Sequence, residues 1–393
     1  MERSLVLGVG QFAALLSAAL AISIAAERIR VPAAVLLVAL GMGAGAFLHV
    51  QPPFAFGPTV LFVCLPPLIF EGAWVLDLRH AGSNWARIVP LALPGTIFVA
   101  FAIAGTLVLS GTLSFAPALL LGAIVSATDP VAVIAVFRTV QVPPSLRAIV
   151  QAESLSNDGV AVVLYSVALA LATGASLPWG DPWAWGIFAI AGGIAIGALC
   201  ALPLWGALLA TDASEYEVTG TVGLAYVSYL IADAVHASGI LATAAAAVTL
   251  RALLIRRPHL TNRRDVDVFW NAAAYMVNAV LFLATGLVID PARALHEPLL
   301  VAVALLVVLG SRAVLAWFVA PDMRTRATVF LAGMRGALPL ALALALPVSL
   351  AERPAIIDAV FATVFVTLVV QGVPLTAFFE RIYGDTPARE PTL

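Results

Sequence analysis

The sequence predicts an all-α polytopic membrane protein of about thirteen transmembrane helices, arranged as two inverted six-helix repeats with broken helices at the fifth and twelfth spans. Three observations lead there. The 393 residues are 62% hydrophobic and only 11% charged, with a mean hydropathy of +1.05, a profile foreign to soluble domains. Apolar runs of about twenty residues, the length a helix needs to cross hydrocarbon, recur from end to end. Two of these runs, at corresponding places in the two halves, are interrupted by proline or glycine.

The spans read, to within several residues, as about 5–26, 31–48, 57–76, 88–110, 116–139 and 147–173, then about 184–209, then about 218–236, 239–256, 268–289, 297–320, 326–347 and 357–380. Residues 1–173 form the first repeat, 184–209 a linking helix, and 218–383 the second repeat. An odd count of six plus one plus six gives the halves opposite orientation, a common transporter plan. No polar stretch is long enough for a soluble regulatory domain, and the apolar segment after Met1-Glu2-Arg3-Ser4 lacks an early small-residue cleavage site, so it reads as a first helix.

All twenty basic residues are arginine, so no lysine serves as a switchable intramembrane base. Arginine also orients the chain. With the N-terminus outside, Arg28, Arg30, Arg79, Arg87, Arg138, Arg147, Arg251, Arg256, Arg257, Arg263, Arg264, Arg324, Arg326, Arg381 and Arg389 are cytoplasmic, and Arg3, Arg293 and Arg353 are external. Arg312 and Arg335 fall within spans. The segment Thr211 to Glu217 dissents: it should be cytoplasmic yet has no arginine, which fits either an ordered acidic cap or a span count off by one. Arginine-only, alanine-rich usage suggests a bacterial gene and the bacterial inner (cytoplasmic) membrane. The net charge of −2 suggests no nucleic-acid partner. Cys64 and Cys200 lie in apolar segments and read as packing residues, and no metal-spaced histidine pair or phosphate loop is present.

Acidic residues inside spans carry the chemistry. A carboxylate at bilayer depth costs roughly 3 kcal/mol on insertion scales, and Asp129 and Asp158 both lie there. Pro130 has no N–H, clashes with the carbonyl of Ser126 and pushes Asp129 away from helical torsions, so span 5 should open near 126–129. Unwound backbone at that depth is tolerated only against protein or a wet cavity. Ser154 and Asp158, four apart, share one face of span 6; Glu153 and Asn157 share the next. Asp158, the Ser154 hydroxyl and the freed backbone of span 5 make an oxygen-lined pocket, which suits a hard cation such as Na+, or a proton. Arg335 sits in the Gly333-Met334-Arg335-Gly336-Ala337-Leu338-Pro339 break of span 12, and a buried guanidinium needs an acid. Glu153 is the expected partner, with Arg312 left to snorkel or pair locally. Glu71, in span 3, is expected to line a cytoplasmic funnel, and Asp233 with His236 the outer mouth.

These motifs resemble those of the monovalent cation:proton antiporters, in the NhaP and Na+/H+-exchanger branch. Leu65-Pro66-Pro67-Leu68-Ile69-Phe70-Glu71-Gly72 is similar to the double-proline helix of that family. Thr128-Asp129-Pro130-Val131-Ala132-Val133 resembles its unwound motif, and Glu153-Ser154-Leu155-Ser156-Asn157-Asp158-Gly159 its ion-site motif. His236-Ala237-Ser238-Gly239-Ile240-Leu241 and Gly333-Met334-Arg335-Gly336-Ala337 resemble two more, in the same order along nearly the whole chain. The resemblance implies a homodimeric antiporter with crossing broken helices and no cofactor beyond its transported Na+ and H+. It implies Asp158 as the carrying carboxylate, with Asp129, the Thr128 carbonyl and Ser154 completing the cation shell, Asn157 supporting it, and Glu153 paired with Arg335. Asn157-Asp158 in place of two aspartates implies the electroneutral branch. Ser156 departs from the bulkier apolar residue frequent there, and the long regulatory tails are missing.

A single carboxylate shared by H+ and Na+ couples their exchange, because the empty charged state is costly to move through a dry interior. Three other readings compete. K+/H+ exchange would use similar oxygens. A cation channel would need a symmetric pore. An intramembrane aspartyl protease would need its second aspartate in a GxGD setting, which Asp158 lacks.

Overall fold

The computed structural model describes residues 2–29, 31–48, 58–129, 133–134, 137, 142–177, 180–210, 213–256, 263–289, 297–320 and 322–383. Pro130, the loop arginines Arg30, Arg138, Arg257, Arg293 and Arg389, and Thr211-Asp212 lie outside them. The regular elements of the described residues are helices: α1 (Glu2–Arg28), α2 (Ala33–Leu48), α3 (Pro58–Trp74), α4 (Leu78–Ser83), α5 (Trp85–Ala92), α6 (Pro94–Leu109), α7 (Phe115–Ser126), α8 (Pro144–Thr173), α9 (Pro182–Leu208), α10 (Ser214–Ala234), α11 (Gly239–Ile255), α12 (Arg263–Val288), α13 (Pro298–Val319), α14 (Met323–Leu331), α15 (Ala337–Leu344), α16 (Arg353–Thr367), a π-helical turn (Leu368–Gly372) and α17 (Val373–Tyr383). Among the described residues, seven helical stretches are long and apolar enough to span a bilayer: 10–28, 85–109, 144–173, 182–208, 264–288, 298–319 and 353–383. Four shorter apolar helices, at 33–47, 62–74, 115–126 and 239–255, pack among them.

Contacts sort the helices into two bundles. In one, α2 packs on α12, and α11 on α3, α9 and α10. In the other, α7 packs on α6 and α8, α13 on α6, α14 and α16, and α15 on α16. Small residues bring backbones together, as membrane helices require when lipid is as apolar as their side chains. A Cβ on Gly41 of α2 would sit 2.5 Å from the carbonyl oxygen of Leu283 and 3.0 Å from the Cα of Gly286 on α12. The bundles meet where α8 and α15 face α3 and α12.

Both expected interruptions are present. Helix α7 stops at Ser126, and Ala127 is extended with φ −63° and ψ 140°. Residues 332–336 are non-helical between α14 and α15. Pro339 then falls in the first turn of α15, where its missing N–H would have had no intrahelical partner anyway. Of the arginine-poor acidic segment, Glu215 and Glu217 lie in the first turn of α10. Negative charge there complements the helix dipole.

Candidate functional site

The two unwound segments cross. The Asp129 N–H donates to the Met334 carbonyl at 2.9 Å, and the N–H of Ala337, first residue of α15, donates to Asp129 Oδ2 at 3.4 Å. Asp129 thus caps a helix N-terminus, where exposed N–H groups and the helix dipole favour negative charge. Contact is close enough that a Cβ on Gly336 would collide with the Asp129 carboxylate.

Thr128 is pegged to α8 on three sides. Its carbonyl accepts from Ser154 Oγ at 2.6 Å, its N–H donates to Asn157 Oδ1 at 3.3 Å, and its hydroxyl accepts from Asn157 Nδ2 at 2.6 Å. The Thr128 and Ser154 hydroxyls are also 3.1 Å apart. Asn157 reaches Glu153 Oε1 as well, at 3.0 Å. The i, i+3 spacing supplies both pegs: Ser154 and Asn157 sit on adjoining faces of one turn, so side-chain groups replace the partners the backbone lost on unwinding.

The cleft between the bundles is walled by α3, α8, α12, the start of α15 and the 128–129 segment. Asp158, Asp129, Thr128 and Glu71 all line it. Asp158 Oδ1 is buried and has no hydrogen-bond partner among the described residues. A buried orphan oxygen costs about 1–3 kcal/mol, more if charged, so this atom marks where a cation or proton would be most stabilised. Asp158, Asp129 and Thr128 bring hard oxygen atoms to the same cleft. Ser154 is 1% exposed and its hydroxyl is directed to Thr128, not among the residues walling the cleft. Asp233 and His236 lie at the exposed end of α10 and do not wall the cleft either. His236, at φ 62°, terminates α10, its N–H donating to Asp233 O at 2.9 Å.

One expected pairing is wrong. Glu153 binds Arg312 of α13, not Arg335. Arg312 Nη1 donates to Oε1 at 2.8 Å and Nη2 to Oε2 at 3.0 Å, while its Nε donates to the Val329 carbonyl at 2.9 Å. Gly333 makes room, since a Cβ there would strike the Arg312 side chain. Arg335, 1% exposed, donates from Nη1 to the Gly333 carbonyl at 3.2 Å, and its own N–H donates to Thr367 Oγ1 at 3.3 Å. It lies within electrostatic reach of Glu153 and Asp158 without an ion-pair contact. Sequence reasoning also missed Thr367 and Gln371, whose Nε2 donates to the carbonyl of Phe330 at 2.8 Å, beside the α14–α15 break. The π-helical turn that holds Gln371 has no strong local sequence signal.

A pair of crossed, unwound segments around a buried carboxylate is a transporter architecture, and comparison with known proteins decides which kind. The sodium/hydrogen exchanger transmembrane model matches residues 15–381. The chain belongs to the sodium/hydrogen exchanger family. It is a multi-pass membrane protein and a secondary transporter, not an enzyme. This family member is 30% identical to the low-affinity Na+/H+ antiporter NhaS1 of Synechocystis, over 96% of this chain and 76% of that one. It is 31% identical to the Na+/H+ antiporter ApNhaP of Aphanothece halophytica, over 92% of this chain and 72% of that one. Its fold matches that of the sodium proton antiporter MjNhaP1 from Methanocaldococcus jannaschii with a TM-score of 0.81 at 22% identity, covering 94% of this chain and 99% of the other.

Proposed function

We propose that this chain exchanges Na+, and Li+ at the same oxygens, for H+ one for one, with Asp158 as the carboxylate that both occupy in turn. The carrying observation is the buried, unpartnered Asp158 Oδ1 facing a cleft beside Asp129 and Thr128. Asp158 Oδ1, buried and without a hydrogen-bond partner among the described residues, needs a cation or a proton, because an isolated buried charge is far costlier than a paired one.

The Asn157 amide donates to Thr128 and to Glu153, so position 157 holds the unwound segment and adds no titrating charge, in keeping with electroneutral exchange. Alternating access rocks the bundle holding α7, α8 and α15 against the bundle holding α3 and α12, exposing the cleft to each side in turn. Thirteen spans in two inverted repeats, an external N-terminus, a homodimer and a bacterial inner-membrane location complete the reading; the interruptions in matching spans support the repeats, the arginine distribution supports the orientation, and the homodimer rests on the family resemblance.

The test is reconstitution in proteoliposomes with a pH-sensitive dye. Na+ addition should collapse an imposed pH gradient with the wild-type chain and leave it intact with Asp158→Asn at equal folded yield. Retained exchange in that variant would overturn the assignment.

A further inference from the structure

Two buried carboxamides share the cleft with Asp158, and neither takes part in the network described above. Gln151 of α8 and Asn278 of α12 are each 7% exposed, and both wall the cleft. Their polar atoms are not among the sealed, unpartnered ones of the described residues, so both carboxamides open on the cleft and can meet what enters it. Their placement is ordered. Gln151, Leu155 and Asp158 follow i, i+4, i+7 spacing and all wall the cleft, so they form one stripe of α8. At 1.5 Å per residue, Gln151 lies about 10 Å from Asp158 along that stripe, toward the helix N-terminus. Asn278 comes from the other bundle, as does Glu71. The carboxamides therefore belong to the two bodies whose separation makes the cleft.

We propose that Gln151 and Asn278 form a second cation station on the path to Asp158, where an alkali ion exchanges part of its hydration shell for carboxamide oxygens before reaching the carboxylates. This rests on the Na+/H+ reading above and adds the place where ion selectivity is set. A carboxamide offers a hard oxygen to the ion and an NH2 group to the water it retains. It carries no charge, so it holds the ion without trapping it. A dry apolar wall at this point would force the ion to shed its water in one step.

The experiment measures half-saturating Na+ and K+ concentrations for dye-reported exchange in proteoliposomes, for wild type, Gln151→Leu, Asn278→Leu, Gln151→Glu, Asn278→Asp and Asp158→Asn. The leucine variants should raise the Na+ value by about three- to tenfold, the worth of one exchanged polar contact, with a smaller change in maximal rate and an altered Na+/K+ ratio. The acidic variants, which keep an oxygen and add charge, should shift the Na+ value in the opposite direction. Opposite signs are something a packing role would not produce. If leucine and acid variants both leave half-saturation and the ion ratio unchanged, or both raise them alike, the station is overturned while the Asp158 assignment stands. If Asp158→Asn itself still exchanges, both readings fall. Should a leucine variant not fold, the acidic variant at the same position decides the sign.

Discussion

Arg312 grips Glu153 with both terminal guanidinium nitrogens, at 2.8 and 3.0 Å, and both residues are at most 3% exposed. The contact joins α13 to α8 directly behind the unwound segment, since Asn157 bonds the same Glu153 oxygen and then Thr128. The forked geometry is particular to arginine, whose planar nitrogens match a carboxylate.

Removing one partner of a buried pair leaves the other charge uncompensated and costs about 3–5 kcal/mol. Arg312→Ala should therefore lower the detergent melting temperature markedly and reduce folded yield. Arg312→Met combined with Glu153→Leu should recover much of that loss, since neither charge is then stranded. A double variant no more stable than the single would show that the pair is not the source of the effect.

Gly336 lies against the Asp129 carboxylate with no room for a side chain. Gly336→Ala should force the two crossed segments apart and abolish exchange even where the protein still folds, as read by the dye assay and by elution as a single species. Near-normal transport in Gly336→Ala would mean that the crossing tolerates displacement.

Asn157 donates from one amide nitrogen to Thr128 Oγ1 and Glu153 Oε1. Aspartate at that place cannot donate when ionised and would face Glu153 with like charge. Asn157→Asp should destabilise the protein by about 1–3 kcal/mol, the cost of stranded buried polar groups, whereas Asn157→Ser should cost less. Thermal unfolding of the pair measures the difference.

One-for-one exchange carries no net charge. With the potential clamped by valinomycin and K+, the initial rate should be unchanged between zero and 100 mV, although a single uncompensated charge would feel about 2.3 kcal/mol over that range. Clear voltage dependence would exclude the stoichiometry.

Outside the membrane core, Asp77 caps α4. Partial burial pushes its carboxyl up, but hydrogen bonds from His80 and from the Arg79 N–H, with the His80 charge, outweigh this and hold it below the ordinary 3.8. A lowered folded-state value means that the stability it contributes is present above about pH 4 and is lost as pH falls through the lower folded value. Asp77→Ala should remove a cap worth about 1 kcal/mol and make α4 amides exchange faster at neutral pH, as hydrogen exchange would report. Equal protection in both proteins would contradict the cap.

The interruptions were legible because their causes are local. Proline removes a donor, glycine opens space, and the residue before proline avoids the helix, all of which depend on a few neighbours in the chain. The shared face of Ser154 and Asp158 was legible for the same reason, since helical periodicity fixes it. Glu71, expected in a cytoplasmic funnel, lines the cleft that holds Asp158. By contrast, α8 and α10 begin a few residues before the expected spans, at Pro144 and Ser214, where proline opens the first turn of α8 and acidic side chains lie in the first turn of α10.

Sequence alone determined that the chain crosses the membrane many times, that it opens at two matching places, and that Asp158 sits deep within it. Each is a property of composition or of short-range covalent geometry. Only the tertiary structure decided that Glu153 pairs with Arg312, 159 positions away, and that Arg335 turns to the Gly333 carbonyl. Both arginines lay in spans of similar depth, and the choice between them depends on which helix packs behind α8. That is set by the fit of whole helix faces, including the space Gly333 leaves, which a one-dimensional pattern does not contain.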